Sequence, residues 1–476
     1  MIHTRIAPSP TGPFHIGNAR TALFNFLFTK KQGGEIYLRI EDTDKERSKK
    51  EYEDNIILSL EWLGIKWDGE IIRQSERTEK YQSYLEKMIA GGRAFFCGHS
   101  QEELEQEQKE QEAQKLPLRH TCEHAYQQLD AGIVRLKNPG GKITFNDIIR
   151  GEVSFEAELL GDIVLAKNLN TPLYNFAVVV DDHEMNITHV IRGEDHISNT
   201  PKQILIQKAL GFDQPQYAHV PLILGSDRSK LSKRHGASST GSTNSPQASS
   251  GQAASVSEYR EQGYLPEAVV NFLALLGWHP QNNQEIFSME ELIEEFDLNR
   301  VQKGGAIFDI NKLDSINQHY IKNLPVGDLS GLLKPHLVNF NLTTDQLSKL
   351  AKHFQERLKK LSDIKELTSY IFKLPDYETR LLCWKDTSPQ MTLDYLELIK
   401  QKLEGLAESQ FDIDCLTTEL MPLANEKGRG EVLWPLRVAL SGLDKSLGPF
   451  EMIEILGKKE TTIRLNAAID KLNTVI

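Results

Sequence analysis

The cationic segment at residues 230–234 is the part of the chain whose spacing most directly suggests chemistry. Lys230, Lys233 and Arg234 supply three positive charges, with Leu231 and Ser232 between them. Two lysines three residues apart can face one triphosphate together and neutralise the charge that builds on a departing pyrophosphate. A solvated basic turn is the alternative interpretation when the segment is considered alone.

A second segment, His15-Ile16-Gly17-Asn18, lies where a predicted strand gives way to a predicted helix. We expect free backbone N–H groups and the positive end of the helix to favour an anionic phosphate there. Gly17 has no side chain, so a flat adenine could approach the backbone closely, while His15 and Asn18 add donors. A capped helix start with an incidental histidine is the alternative. Together, the two segments indicate an enzyme that activates a carboxylate with ATP.

These segments need a scaffold, and residues 1–90 alternate strand and helix patterns. Residues 2–6 predict a buried strand, which prolines and a glycine at 8–13 bring to an end. Apolar residues recur at helical spacing from Ala19 onward, and residues 36–40 predict a second strand. Strand, loop, helix and strand make half of a doubly wound fold, in which ligands bind at the carboxyl ends of the strands.

The remainder of the chain divides by its sequence patterns. We predict an α/β fold in which a Rossmann-type parallel-sheet domain is interrupted by an inserted domain and followed by all-α domains. The predicted sheet takes residues 1–90 and 187–237, the insertion 91–186, an uncharged flexible loop 238–254, and two helical domains 255–324 and 325–476. The loop contains no charged, aromatic or large aliphatic residue, so burial cannot offset the entropy cost of ordering it.

Composition sets broad limits on function. The chain has 476 residues, of which 26% are charged, and a formal net charge of -12. The acidic total argues only weakly against nucleic acid, because an acidic protein can still carry a local basic groove. No apolar run approaches the ~20 residues that span a bilayer, and the amino terminus lacks a signal-peptide pattern, so we expect a cytoplasmic protein with no membrane partner. Four cysteines in this length do not make a disulfide scaffold.

Longer strings make a family resemblance specific. They are RIAPSPTG at 5–12, HIGN at 15–18, LRIEDTD at 38–44, IRGEDH at 191–196, SNTPKQ at 198–203, KLSKR at 230–234 and YREQGYLPEA at 259–268. In these strings and their order, the chain resembles the bacterial glutamyl-tRNA synthetases, which are class I aminoacyl-tRNA synthetases. The resemblance covers most of residues 1–325 and is thinner beyond them.

The resemblance implies a role for each matching position. The glutamate substrate would be bound by Arg5, Ala7, Ser9, Glu41, Tyr174 and Arg192. ATP would be bound by Pro8, Ser9, His15, Gly17, Asn18, Asp195, Lys230, Leu231, Ser232, Lys233 and Arg234, among which His15, Asn18, Lys230 and Lys233 would be catalytic. Arginine suits a carboxylate because its fork can bind both oxygens. For Arg5, a surface ion pair with Glu41 is the alternative.

The implied reaction is ATP-dependent ligation of L-glutamate to tRNA(Glu) through a glutamyl-adenylate, with AMP and pyrophosphate released and Mg²⁺ accompanying ATP. The substrate carboxylate is already ionised at pH 7, so the first step needs no general base. Two alternatives remain open: an enzyme that also, or only, glutamylates tRNA(Gln), and a small-molecule nucleotidyltransferase. The second would need neither the helical tail nor the 259–268 string. We expect a monomer.

Two Cys/His pairs in the predicted insertion suggest a metal site. Cys97 and His99 precede a Glu/Gln-rich helix, and Cys122 and His124 follow it. Two cysteines and two histidines can close a tetrahedral structural zinc site. Some members of the resembled family carry zinc here, usually with a second cysteine where this chain has His99. Two unrelated loops with reduced cysteines are the alternative.

Residues 325–476 resemble the anticodon-binding region of the same family in position and length. By that resemblance, residues 91–186 would contact the acceptor end of the tRNA and 255–324 its stem. Arg357 aligns with an arginine that reads the last anticodon base, and an arginine can hydrogen-bond or stack on a splayed base. A solvated helical charge is the alternative. The chain departs from the family at His235, where an acidic residue is common.

Overall fold

The computed structural model describes residues 1–127, 129–229 and 254–476. The chain forms two compact units, of which the first comprises Met1–Glu261 and Pro266–Ile316 and the second Gln262–Leu265 and Asn317–Ile476. The predicted cationic segment 230–234 lies outside the described residues, as does all of the predicted flexible loop except residue 254.

The first unit begins with a three-stranded parallel sheet. Its elements are β1 (His3–Ile6), α1 (Ile16–Lys31), β2 (Glu35–Ile40), α2 (Lys50–Trp62), β3 (Ile72–Arg73) and α3 (Thr78–Ala90). β2 lies between β1 and β3, with Arg5 opposite Tyr37 and Arg39 opposite Ile72. The predicted order of strand, helix and strand is confirmed, and α1 starts at Ile16, within the segment where the helix was predicted to begin.

The predicted insertion supplies mainly antiparallel strands. Its elements are β4 (Ala94–Cys97), α4 (Gln101–Ala113), β5 (Ile133–Leu136), β6 (Lys142–Asp147), β7 (Gly151–Glu156), β8 (Ile163–Asn168) and β9 (Thr171–Pro172). β4, β5, β8 and β9 form one sheet, while β6 and β7 form a hairpin. α4 buries none of its side chains, as expected for a helix of Glu and Gln residues.

The parallel sheet continues in the second half of the doubly wound fold. Its elements are α5 (Tyr174–Glu184), β10 (His189–Gly193), α6 (Thr200–Leu210), β11 (Gln216–Val220) and β12 (Ile223–Leu224). β10 and β11 are parallel, and the Thr188 N–H donates to the His3 carbonyl at 3.0 Å, which sets β10 beside β1. The β6–β7 hairpin extends this sheet, because Asp147 pairs with Tyr217 of β11. Strands that we assigned to the insertion therefore border the parallel sheet directly.

Helices dominate the last part of the first unit. They are α7 (Val256–Glu261), α8 (Pro266–Leu275), α9 (Met289–Glu295) and the first part of α10 (Ile310–Lys322), with a short strand β13 (Ala306–Ile307) between α9 and α10. α8 is buried along residues 268–274. β13 pairs with β12. We did not predict this strand, because two residues are too few to show a hydrophobic period. After Pro266, the chain passes from the first compact unit to the second between residues 316 and 317, inside α10.

The described part of the second unit is helical, as predicted. Its further helices are α11 (Val326–Leu333), α12 (Thr344–Phe354), α13 (Ile364–Leu367), α14 (Ser369–Phe372), α15 (Pro389–Glu404), α16 (Ile413–Lys427), α17 (Arg429–Ser441) and α18 (Pro449–Asn473). Gly457 breaks the regular path of α18 at a φ of 72°, which favours glycine. Among the described residues, we find no helix with the length and apolarity needed to cross a bilayer.

Candidate active site

A cavity of about 1290 Å³ opens at the carboxyl ends of β1, β2 and β10, where α1 begins. Its lining includes every predicted ligand-binding residue outside 230–234, namely Arg5, Ala7, Pro8, Ser9, His15, Gly17, Asn18, Glu41, Tyr174, Arg192 and Asp195. These residues come from both halves of the sheet. The structure thus brings together side chains that are up to 190 positions apart in the sequence, from Arg5 to Asp195.

His15 is the N-cap of α1, and this changes one expectation. Its Nδ1 accepts the backbone N–H groups of Gly17 at 3.1 Å and Asn18 at 3.3 Å. A Cβ on residue 17 would lie 3.0 Å from the His15 ring, so glycine makes room for this cap. The prediction that these N–H groups are free for phosphate is therefore wrong. Because Nδ1 accepts hydrogen bonds, Nε2 carries the proton of the neutral ring.

Arg5 belongs to a buried ion network below the cavity. Its Nε lies 3.1 Å from Oδ1 of Asp182, which also accepts from Nη1 of Arg39 at 2.7 Å. Arg39 Nη2 in turn lies 3.0 Å from Oε1 of Glu41. The alternative of a surface pair between Arg5 and Glu41 is wrong, since both residues are buried and neither is the other's partner in these contacts. Arg5 and Glu41, which we assigned to glutamate binding, are thus held by Asp182 and Arg39 respectively.

In this network, burial and neighbouring charges have opposite effects on the pKa values of the carboxyl groups. Burial opposes ionisation of Asp182, but the Arg5 and Arg39 guanidinium groups hold the pKa of this carboxyl below its ordinary value. Burial raises the pKa of Glu41 despite the neighbouring Arg39 and Arg5. A cation entering the cavity next to Glu41 would favour its ionised form, as a substrate ammonium group would.

Arg192, on β10, is buried and held by neutral side chains. Its Nη1 donates to Oε1 of Gln203 at 2.8 Å, its Nη2 to Oγ1 of Thr200 at 2.8 Å, and its Nε to Nε2 of His219 at 3.2 Å. Across residues 1–127, 129–229 and 254–476, no carboxylate oxygen lies within 4.0 Å of its guanidinium nitrogens. Its positive charge is therefore available to an anionic ligand.

Tyr174 and His196 form a neutral pair on the cavity wall. The Tyr174 hydroxyl lies 3.0 Å from Nδ1 of His196. Burial raises the pKa of Tyr174 to about 12, so its hydroxyl keeps its proton at neutral pH. Burial and the charge of Arg192 lower the pKa of His196 to about 4, so its ring is neutral there. This pair can supply hydrogen bonds without adding charge.

Our sequence reasoning missed the residues that support this site. Asp181 and Asp182 directly follow three valines in α5, and two acidic residues beside an apolar run were a usable sign of buried ion pairs. Arg39 lies inside the LRIEDTD string, but the resemblance assigned it no role. Nothing in the local sequence identified His219 as a partner of Arg192, because the contact joins two different strands.

Described residues on either side of residues 230–253 line the cavity or contact its lining. Ile223 lines it, six residues before the last described residue of that stretch. Where description resumes, Ser255 pairs with His15, and the Val256 N–H donates to the Phe14 carbonyl at 2.9 Å. The assignments of Lys230, Leu231, Ser232, Lys233 and Arg234 to ATP binding fall outside the described residues.

Four potential metal ligands cluster between β4 and the segment after α4. They are Cys97, His99, His120 and Cys122, whose ligand atoms all lie within 4.8 Å of one another. His120, which we did not predict, belongs to this group, and the predicted His124 does not, although its Nδ1 lies 3.4 Å from the Cys122 Sγ. The His124 ring packs on His99, and its Nδ1 accepts the Gly98 N–H at 3.2 Å. Two Sγ atoms and two ring nitrogens fit the tetrahedral preference of zinc.

The surroundings of this cluster favour a bound cation. Nδ1 of His120 lies 2.5 Å from Oε2 of Glu107, which leaves Nε2 to face the Cys97 sulfur. A carboxylate on the far nitrogen is the usual support for a metal-bound histidine. Burial opposes ionisation of the Cys97 thiol, but hydrogen bonds from the backbone and ring of His99 lower its pKa. The thiolate is the form that binds metals.

The predicted anticodon residue lies in the second unit. Arg357 ends a short 3₁₀ helix, Gln355–Arg357, that follows α12, and its side chain is exposed. An exposed guanidinium is accessible to a splayed base. Its role in tRNA contact stays a prediction.

Comparison with known protein families covers almost the whole chain. Residues 1–315 match the family described as tRNA synthetases class I (E and Q), catalytic domain. Residues 328–469 match the family described as anticodon binding domain. The first match includes all the cavity residues named above, and the second includes Arg357.

Individual relatives are similar over their full length. A glutamate--tRNA ligase from Carboxydothermus hydrogenoformans is 43% identical, covering 98% of this chain and 99% of the relative. Glutamate--tRNA ligase 2 from Thermoanaerobacter pseudethanolicus is 41% identical, covering 98% of each chain. The crystal structure of a glutamate tRNA ligase from Elizabethkingia meningosepticum, in complex with its amino acid, superposes with a TM-score of 0.87 at 34% identity over 99% of both chains.

Proposed function

The chain belongs to the class I tRNA synthetases for glutamate and glutamine, and from that premise we propose that it ligates L-glutamate to tRNA(Glu) with ATP. One observation carries the proposal: a single cavity gathers the positions whose family roles are amino acid and ATP binding. The full-length similarity to glutamate--tRNA ligases supports the choice of amino acid.

In the proposed first step, the substrate carboxylate attacks the α-phosphate of ATP in line. Arg192 and Arg5 hold the glutamate carboxylates, and Glu41 binds its ammonium group. The attacking carboxylate is already ionised, so the protein contributes position and electrostatic stabilisation rather than a base. The Nε2–H of His15 can donate to the phosphates, while Mg²⁺ accompanies ATP and pyrophosphate leaves.

In the proposed second step, the terminal ribose of tRNA attacks the activated carbonyl and releases AMP. For a class I synthetase we expect the 2′-hydroxyl to be the acceptor. Lys230 and Lys233 would neutralise the pyrophosphate charge during the first step, a role that rests on the family string alone. A cytoplasmic location and a monomeric state also stay predictions.

Glutamate-dependent exchange of pyrophosphate into ATP tests the activation step. We expect exchange with glutamate when tRNA is present and much less without it, because members of this family typically need tRNA for activation. Glutamine in place of glutamate is the matched control and should support no comparable exchange. The absence of exchange with glutamate, with or without tRNA, would overturn the proposed function.

The choice of tRNA is a finer question, which transcripts of tRNA(Glu) and tRNA(Gln) address directly. An enzyme restricted to tRNA(Glu) glutamylates only the first, and a relaxed enzyme glutamylates both. The alternative of a small-molecule nucleotidyltransferase is disfavoured, because residues 328–469 match an anticodon binding domain that such an enzyme has no use for. Glutamylation of either transcript would exclude a small-molecule nucleotidyltransferase.

We further propose that Cys97, His99, His120 and Cys122 bind one structural zinc ion. Bound zinc would hold β4 and the segment around Cys122 together, since three of the four ligands lie outside regular elements. The pair His120→Ala and His124→Ala tests the ligand set by metal analysis of purified protein. We expect about one zinc in the wild type and in H124A, and less than about half in H120A. The reverse order would restore His124 as the fourth ligand.

A further inference from the structure

The Arg192 guanidinium is fixed by three acceptors that carry no charge. Gln203, Thr200 and His219 each accept one of its N–H groups at 2.8 to 3.2 Å. A buried guanidinium is usually paired with a carboxylate, as Arg39 and Arg5 are with Asp182. A carboxylate at Arg192 would neutralise the charge that a substrate anion needs. Neutral acceptors can fix the orientation of the guanidinium and leave its charge for the substrate.

His219 acts as a neutral acceptor only in one of its protonation states. Its Nδ1 lies 2.6 Å from Oδ2 of Asp147, and both side chains are completely buried. Asp147 also accepts the backbone N–H groups of His219 at 3.0 Å, Ile149 at 3.0 Å and Arg150 at 2.8 Å. Hydrogen bonds of this kind keep a carboxylate ionised, and an ionised carboxylate can only accept. The Nδ1 of His219 therefore carries a proton.

The other ring nitrogen must then be unprotonated. Nε2 of His219 faces the Nε–H of Arg192 at 3.2 Å, and a guanidinium has no lone pair to accept a proton from the ring. Thr200 Oγ1, at 3.1 Å from the same nitrogen, already accepts from Arg192 Nη2. Burial and the nearby Arg192 charge lower the pKa of His219, whereas its hydrogen bond to Asp147 raises it, and the net shift is downward. Asp147 thus selects the tautomer that Arg192 requires.

We propose that His219 is a positioning residue, which Asp147 holds in its Nδ1-protonated form so that Nε2 directs the Arg192 guanidinium toward the substrate carboxylate. This inference rests on the proposed role of Arg192 in binding glutamate. Neither His219 nor Asp147 lines the cavity, and the cavity-lining side chain that His219 contacts is that of Arg192.

Two substitutions of His219 separate its two contacts. In His219→Asn, the short amide can still donate to Asp147 from near the Nδ1 position but cannot reach Arg192. In His219→Gln, the longer amide can present an oxygen near the Nε2 position but loses the contact with Asp147. We expect H219N to raise the KM for glutamate by about tenfold or more, as expected when a hydrogen bond to a charged group is lost. The KM for ATP should change less than about twofold, and H219Q should stay nearer the wild type.

The opposite pattern would overturn the proposal. If H219Q raises the KM for glutamate and H219N does not, His219 serves the fold through Asp147 alone. Equal and unchanged KM values for both variants would also contradict it. Arg192→Ala is the reference variant. If the wild type charges tRNA and R192A has an unchanged KM for glutamate, the proposed role of Arg192 is wrong. If the wild type itself is inactive, the proposed function is wrong.

Thermal unfolding of each variant shows whether it is folded enough to assay. Independently of H219N, the ¹⁵N chemical shifts of the His219 ring in the wild type, assigned with H219Q, report its tautomer. We expect a neutral ring protonated at Nδ1. A ring protonated at Nε2 would donate toward Arg192 and overturn the proposal by itself.

Discussion

Single residues in this site act through partners that are distant in the sequence. Arg5 was expected to bind substrate, and it lines the cavity, but its orientation comes from Asp182, which is 177 positions away. Spacing and family strings identified the residues that face the cavity. They could not identify the partners of Asp182 or the contact of His219 with Arg192, because an ion pair or hydrogen bond between distant elements cannot be read from the local sequence.

Asp182 should be essential for the stability of the first unit. Asp182→Asn leaves Arg5 and Arg39 buried without their shared carboxylate, and breaking a buried pair in this way costs about 3–5 kcal/mol in the free energy of unfolding. Chemical denaturation measures the loss. Asp54→Asn is the control, since Asp54 pairs with Lys50 at the surface and should matter little. A D182N protein as stable as D54N would contradict the role given to the network.

The stability difference between wild type and D182N should depend on pH. The pKa of Asp182 is below its ordinary value of 3.8 in the folded protein, so its contribution is complete above about pH 4 and is lost as the pH falls through the folded pKa. The stability difference between wild type and D182N should therefore be constant from pH 7 to about pH 5 and shrink in stronger acid. Denaturation curves across this pH range provide the measurement. A stability difference that grows in acid would contradict the lowered pKa of Asp182.

At the scale of elements, the amino end of α1 has both a structural role, as a capped helix start, and a proposed role in ATP binding. The sequence predicted β1, α1 and β2 because a buried strand and apolar residues at helical spacing are clear patterns. It did not predict that the β6–β7 hairpin borders β11, since strand pairing over such a separation depends on the whole fold. It offered a capped helix start at His15 only as an alternative and did not identify the histidine ring as the cap.

Substitution of His15 can separate capping from chemistry. Asparagine is a favourable N-cap, so His15→Asn should keep the stability of the wild type, whereas His15→Ala should lose about 1 kcal/mol. Both remove the Nε2–H donor, and we expect both to lower the rate of glutamate activation by about a hundredfold. Thermal unfolding and pyrophosphate exchange measure the two effects. An H15N protein with full activity would restrict His15 to capping the helix.

At the scale of the whole molecule, the chain consists of an α/β unit and a helical unit, each matching its own family. The order of these parts was predictable from hydrophobic patterns and family strings. The passage from one compact unit to the other inside α10 was not, because that helix contains no Pro or Gly residue. Regular periodicity gives no sign of where one compact unit ends inside a single helix.

The second unit should contribute tRNA affinity without affecting the small substrates. Arg357→Ala should lower kcat/KM for tRNA(Glu) by about tenfold, the effect of losing a contact to a base edge, and leave the KM values for glutamate and ATP unchanged. Lys402→Ala, which removes another exposed cation of the same unit, is the control. Equal effects of R357A and K402A would indicate a general charge contribution instead.

Transfer of labelled glutamate to a tRNA(Glu) transcript, measured together with the nucleotide released from ATP, tests the proposed reaction most directly. We expect one AMP for each glutamate that becomes acid-precipitable, and neither product when ATP is omitted. Release of ADP instead of AMP, or ATP consumption that leaves the tRNA uncharged, would contradict activation of glutamate as an adenylate in this cavity.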